Sequence, residues 1–335
     1  MSCPAPRRRV AWILGLLAGA LVACRPVPAD PLADFGGGFD PVRYDAGPLP
    51  PAAPDKPVRI AVPPFYADEL VAGAVAALER YLEESCGFDV ELSAYQAYDE
   101  DIAARVARGE LDVAELSPYQ YVDAMGAGVA IAPMAATVAR GSASYGSYLV
   151  VKAGSPLHTL DDLRGGKRVR LGLVAPLSTS GWVLPLLYLK DHGVDLERDV
   201  ELVATGGHAT SLTALQDGRL DVAAVSSDLL IGNVGLAGPL SVLAKAGRTP
   251  NDVLVVRADL DPNVRRRLES ALLRLSIHDP VGRAALRAFS AVDGFMPVPP
   301  DHYDEVFALA KRAAATAFPP ARPLEGAAAA SAAAP

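Results

Sequence analysis

Between residues 58 and 275 the sequence alternates short apolar runs with stretches of helical period, and few folds accept that alternation. Short runs at 58–62, 90–95, 111–116, 129–136 and 148–152 predict strands. Helices are expected over 68–84 and 98–108, and near 119–125 behind Pro118. The second half repeats the style, with strands at 169–174, 200–204, 220–225 and 253–257 and helices at 181–190, 209–216 and 263–275. Strand–helix alternation of this kind gives α/β layers with mostly parallel sheets. A six-residue echo, Gly-Glu-Leu-Asp-Val-Ala at 109–114 and Gly-Arg-Leu-Asp-Val-Ala at 218–223, suggests two lobes of similar build.

One loop has a chemical character of its own. Ser178, Thr179 and Ser180, followed by Gly181, join the apolar run 169–174 to the helix 181–190. The first N–H groups of a helix lack intrahelical partners and carry partial positive charge, so strand, hydroxyl loop and helix start together make an anion site. A single serine here, Ser178 or Ser180, would also serve as a plain helix cap. No Lys or Arg stands between Leu171 and Leu189, so an anion in this loop would be held by neutral donors.

The composition narrows the partners. The chain has 335 residues, a formal charge of −8 and 6% aromatic residues. It is large enough for one big or two ordinary domains, and it offers neither the basic face nor the stacking platform that nucleic acid needs. Arg7, Arg8 and Arg9, then an apolar stretch, then Leu-Val-Ala before Cys24, have the layout of an export signal over residues 1–23. The 14 uncharged residues between Arg9 and Cys24 are too few to span a bilayer. Residues 24–57, rich in Pro, Gly and Ala, suggest a flexible tether, and residues 319–335 a disordered Ala/Pro tail. With Cys3 in the leader and Cys24 at its end, Cys86 stands alone, so no disulfide framework or paired-cysteine metal site is expected, and no cofactor.

These pieces resemble the periplasmic substrate-binding proteins of ABC transporters for phosphonate, phosphite and phosphate. The residues that carry the resemblance are Asp162-Leu163-Arg164-Gly165, Ser178-Thr179-Ser180-Gly181, Gly207-His208, Leu220-Asp221-Val222-Ala223 and, earlier, Leu111-Asp112-Val113-Ala114 and Tyr145-Gly146-Ser147. The leader resembles that of a lipoprotein, in which Cys24 is lipidated. The resemblance implies a two-lobed type II periplasmic binding protein fold, with lobe 1 from 58–143 and 256–318, lobe 2 from 144–255, and crossings near Tyr148 and Val255. It implies a monomer, exported and anchored to a membrane through lipid, that hands a phosphorus oxyanion to ABC permease and ATPase subunits.

It also implies the site. Ser178, Thr179 and Ser180 resemble the loop on the phosphoryl oxygens, and His208 a histidine that donates to one of them. Tyr145 and Tyr98 resemble cleft tyrosines, with Tyr98 at the start of its helix, and Asp228 and Asp252 resemble two acidic positions. Read from the residues alone, His208 would equally be a turn residue, Asp228 a helix cap, Asp252 a turn residue, and both tyrosines ordinary half-buried side chains. Glu115 departs from the family pattern, because a carboxylate beside an anion is costly unless it meets a cation or takes a proton. The acidic residues favour phosphorus over sulfur oxyanions, since a phosphonate keeps a proton near neutrality that a carboxylate can accept and sulfate has none. A Ser–His–Asp hydrolase is disfavoured by the chain order and the absence of Gly-x-Ser-x-Gly, so no enzyme is expected. A surface-anchored binding protein or sensor of the same fold for another small organic ligand is the alternative.

Overall fold

The computed structural model describes residues 47–63, 72–232, 239–289 and 291–325. The leader 1–23, Cys24 and the tether as far as residue 46 lie outside the described residues, as does the tail from 326.

The chain builds one sheet, crosses to a second, and returns. In order it forms β1 (Val58–Val62), α1 (Ala72–Cys86), β2 (Val90–Ala94), α2 (Ile102–Ala107), β3 (Val113–Leu116), α3 (Pro118–Gly126) and β4 (Ile131–Ala139). The second unit holds β5 (Ser144–Lys152), β6 (Val169–Leu173), α4 (Leu184–Asp191), β7 (Val200–Ala204), α5 (His208–Gln216), β8 (Val222–Ser226), α6 (Ser227–Gly232) and β9 (Leu240–Pro250). The return adds β10 (Val253–Arg257), α7 (Pro262–Arg274), α8 (Pro280–Leu286), β11 (Val292–Met296), α9 (Asp304–Ala314) and β12 (Arg322–Pro323). The strand orders are β11-β4-β10-β3-β1-β2 and β12-β7-β6-β8-β5-β9. Each sheet is packed on both faces by apolar clusters, which is why its strands are apolar throughout.

The sheets are mixed rather than mostly parallel. β2-β1-β3 and β7-β6-β8 are parallel, whereas β10 runs antiparallel to β3 and β5 antiparallel to β8. β10 and β5 enter from the other lobe, so no helical crossover dictates their direction.

The six-residue echo has a physical basis. In the first lobe the Asp112 carboxylate accepts from the Arg59 backbone N–H at 2.9 Å and from its Nε at 3.2 Å. In the second, Asp221 accepts from the Arg170 N–H at 2.9 Å and its Nε at 2.9 Å. In both lobes a Leu-Asp turn thus clamps the start of the neighbouring strand and sets its register.

The crossings differ slightly from expectation. β10 lies wholly in the first sheet, so the second crossing falls at Asn251 and Asp252 instead of near Val255, and the first at residues 140–143 ahead of Tyr148. Asn251 ties the two crossings together. Its N–H donates to Ala143 O at 3.0 Å, and its side-chain amide donates to Ser142 O at 2.7 Å and Thr137 O at 3.0 Å.

Both expected flexible ends are partly docked. Arg267 Nε donates to Pro50 O at 2.6 Å, which holds the end of the tether against α7. At the other end β12 pairs with β7, Arg322 pairs with Glu201, and Leu324 is buried in the second lobe. A third segment therefore joins the lobes, because Leu324 supplies apolar surface that the Ala/Pro composition around it conceals.

Candidate functional site

The hydroxyl loop leaves β6 and enters α4 through one wide turn. Val183 N–H reaches back five residues to Ser178 O at 3.1 Å, so residues 179–183 form a π-helical turn, a geometry often found at functional sites. Gly181 makes the turn possible, since a Cβ there would sit 2.3 Å from Val174 Cγ2 and 2.9 Å from Ser178 Oγ. The three hydroxyls have different duties. Ser178 Oγ accepts from Gly181 N–H at 3.1 Å, which is the capping role. Thr179 Oγ1 accepts from Tyr119 N–H at 2.9 Å, across the cleft. Ser180 Oγ is 1% exposed as a residue and has no hydrogen-bond partner, although the Tyr145 phenol lies close by. Its backbone carbonyl is fixed by Ser147 Oγ at 2.7 Å.

His208 opens α5 behind Gly207, and burial pushes its pKa down to about 3. Its Nδ1 faces Ser226 N–H at 3.3 Å and so acts as acceptor. The neutral ring then carries its proton on Nε2, which makes His208 a donor without charge. The amide of Ser226 occupies the Nδ1 position where a catalytic triad would place its carboxylate.

Tyr98 is not at a helix start. It lies before α2 with φ of 63°, a conformation that a bulky residue adopts only when its surroundings hold it there. The helix begins four residues later than the sequence suggests for that reason. The Tyr98 phenol hydrogen-bonds the Ser178 side chain, and Tyr98 packs on Val174 from the opposite lobe.

Below the loop, at the hinge, acidic groups converge. Glu115, Asp228, Asp252 and Tyr145 line one small cavity. Burial raises the Glu115 carboxyl well above its ordinary value, helped by the charge of Asp252. Burial, then the charge of Asp228, pushes Asp252 up to about 8. Asp252 keeps some exposed surface as a residue, but its carboxyl lies in the cleft floor. Asp228 is raised to about 6 by burial, a rise that Arg140, 4.0 Å away, opposes. It sits inside the first turn of α6 instead of capping it. Among the described residues no cluster of His, Cys, Asp or Glu is arranged to hold a metal ion, and no helix is long and apolar enough to cross a membrane.

A family model for the ABC-transporter phosphonate periplasmic substrate-binding protein matches residues 60–303. The chain belongs to that family. It is 26% identical over 209 residues to the phosphate-import protein PhnD of Mycolicibacterium smegmatis, covering 58% of this chain and 64% of that one. With the phosphonates-binding periplasmic protein of Escherichia coli it shares 28% identity over 136 residues, covering 39% of this chain and 40% of the relative. A crystal structure of a phosphonate ABC-transporter binding component from Pseudomonas aeruginosa superposes with a TM-score of 0.67 at 20% identity, covering 82% of this chain and 93% of that one. That likeness shows the fold: two α/β lobes of the type II periplasmic binding protein.

Within this family member, the structure brings Tyr98 to Ser178, Tyr145 to Ser180, and Asp228 and Asp252 to one cavity beneath them. Thr179 is engaged by the opposite lobe, and His208 does not line that cavity. Two participants escape the sequence reading. Tyr95 donates to the Glu115 carbonyl and fixes that strand end, and Asn251 lines the cavity. Asn251 carries no motif, since its importance comes from bonds to residues more than 100 positions away.

The lobes meet at the start of α3. Ser117 forms a capping box with Gln120 and donates through Oγ to Leu177 O at 2.8 Å on the far side. Ser117→Ala should cost ~1 kcal/mol of stability through the lost cap and weaken ligand capture severalfold by favouring the open clamp. Thermal melts and calorimetry would check it, and unchanged affinity would show that the Leu177 contact does not help hold the lobes shut.

Proposed function

We propose that this chain is the solute-binding component of an ABC importer and that it captures a phosphorus oxyanion, a phosphonate, phosphite or phosphate, between its lobes for delivery to a permease and ATPase. The observation that carries the reading is the π-turn of Ser178, Thr179 and Ser180, with the Ser180 hydroxyl buried and unpartnered. The turn's own bonds take up the N–H groups of Gly181, Trp182, Val183 and Leu184, and Pro185 has none. The neutral donors that suit a tetrahedral oxyanion are therefore those at the head of the turn, the Thr179 and Ser180 N–H groups and the Ser180 hydroxyl. Neutral recognition also suits a carrier, which must release its cargo. His208, Tyr98 and Tyr145 serve as further donors, and Asp228 and Asp252 face the proton or the organic tail of the ligand. In this reading residues 1–23 are an export signal and Cys24 carries a lipid that holds the monomer at the membrane.

Calorimetric titration of the full-length protein in detergent, with phosphate, phosphite, methylphosphonate, 2-aminoethylphosphonate and sulfate, tests the proposal. Tight binding of at least one phosphorus compound, with sulfate weaker by tenfold or more, is the expected result. Equal binding of sulfate would sink the phosphorus assignment.

A further inference from the structure

The lobes are held together at the rim of the cleft and again at a second place. At the rim, Ser117 Oγ reaches Leu177 O, Tyr119 N–H reaches Thr179 Oγ1, and Tyr98 packs on Val174. The second contact is made by α9. Tyr303, just ahead of this helix, donates its phenol O–H to Asn251 O at 3.0 Å, and Tyr303 and Phe307 pack edge-on against Tyr121 of α3. α9 is thus rooted in the first lobe, beside the crossing. Its far end reaches the second lobe, where Leu309, Ala313 and Phe318 pack with Val183, Leu187 and Trp182. None of these residues lines the cavity at the hinge. Beyond α9 the chain stays fastened to the second lobe. Phe318 and Ala321 pack on its core, Leu324 N–H donates to Ala204 O at 2.8 Å, and the Leu324 side chain is buried.

The two contacts differ in kind. Hydrogen bonds at the rim are exchanged for bonds to water when the lobes part, so each contributes little net. The α9 contact is apolar, and parting it exposes hydrocarbon to water with nothing in exchange. Arg312 pairs with Asp191 at 2.6 Å, but both side chains are half exposed, and such a pair adds direction more than strength. The link from α9 to β12, residues 315–321, contains Phe318, Pro319 and Pro320. Proline fixes φ, so this link does not give as a flexible loop would. Trp182 and Val183 close the π-turn that carries Ser180, so whatever packs on them bears on the oxyanion loop. We infer that α9 and residues 315–325 form a strap that keeps the lobes mainly shut whether or not cargo is bound. Affinity and release are then set in part by side chains that do not touch the cargo, a consequence that rests on the reading above.

Pulsed electron-resonance distances in the full-length protein in detergent test this, with spin labels on Glu91→Cys in the first lobe and Glu197→Cys in the second, both exposed positions. Without a strap variant, the labelled protein should give one main distance, the same alone and in saturating methylphosphonate. Leu309→Ala combined with Phe318→Ala should add a second, open distance in the ligand-free protein that methylphosphonate removes. The same pair should weaken methylphosphonate capture by about tenfold, which corresponds to a shut fraction of about one tenth in the ligand-free variant, and should speed its release. A role in folding alone would lower the melting temperature and leave the distances as they were, and that result overturns the strap. Should the double variant fail to fold, the protein with an unaltered strap still decides, because a ligand-free distance that is mainly open, and shifts on adding methylphosphonate, overturns the strap and leaves the proposed function standing. Failure of every phosphorus compound to bind removes the proposed function, and the ligand-free distances then decide the strap by themselves.

Discussion

Ser180→Ala and His208→Ala are each expected to weaken oxyanion capture by ten- to a hundredfold, and the double variant to abolish measurable binding. Each removes one neutral donor to a charged oxygen, an interaction worth ~1.5–3 kcal/mol. The two sit on separate strand ends, after β6 and after β7, so their losses should nearly add. The geometry makes finer distinctions possible at His208. Its Nδ1 accepts from Ser226 N–H, which leaves Nε2 as the donor. Gln at 208 places an amide N–H near the Nε2 position and should retain part of the affinity. Asn reproduces only the inner acceptor and should behave like Ala. Because burial holds the ring neutral down to about pH 3, capture should show no titration step near 6.5 from this residue. Isothermal titration of the variants from pH 5 to 8 checks each part. Full affinity in Ser180→Ala would remove the hydroxyl loop from the site.

The lobes and the hydroxyl loop are legible in the sequence because both rest on local rules. Strands such as β1, β7 and β10 are short β-branched runs, and the Leu-Asp words that carry Asp112 and Asp221 recur in the sequence although the partners they clamp, Arg59 and Arg170, lie 53 and 51 positions away. What escapes is non-local. β9 is hidden because it is a sheet edge, broken by Gly247 and carrying Lys245 and Arg248, so it shows no clean alternation. The late start of α2 follows from the left-handed Tyr98, which no propensity announces in a tyrosine. β12 depends on one leucine, Leu324, finding the second lobe. For the site, residue types and order indicate the anion loop, but they do not say that Thr179 is taken up by Tyr119, or that Glu115 and Asn251 share a cavity with the two aspartates.

The ligand-free protein is expected to be most thermostable near pH 4 and to lose about 5–10 °C of melting temperature by pH 8. The cause is the acidic floor. Asp252 is raised to about 8 and Asp228 to about 6, in both cases chiefly by burial, and Glu115 is raised well above the ordinary range. A carboxyl with a raised folded-state pKa keeps its proton while the unfolded chain, near pH 4, has already given it up. Folding then binds protons, so the stability is fully present below about pH 4 and is lost as pH climbs through the folded values. The rise on Asp228 alone, from 3.8 to about 6, corresponds to ~3 kcal/mol, and the Glu115–Asp252 pair acts in the same direction. Asp199 and Asp221, held below the usual value, oppose this trend only at more acid pH, where their contribution is lost. The groups that face the pair are Asp228, Tyr95, Tyr98, Tyr145 and Tyr303, with Arg140 and Asp293 beyond Asp228. Arg140 alone among them is cationic, and it bears on Asp228, so Asp252 remains the group that controls the slope. Asp252→Asn should flatten the decline between pH 6 and 8, and melts that rise with pH in the wild-type protein would refute the account. An amine-bearing ligand reverses the sign, because its positive charge favours the ionised carboxylates. Capture near pH 7 should then release protons, visible as a binding enthalpy that changes with the ionisation enthalpy of the buffer. Inorganic phosphate brings no such charge and should take protons up, so the direction of proton flow identifies which kind of cargo the floor of the cleft is built to meet.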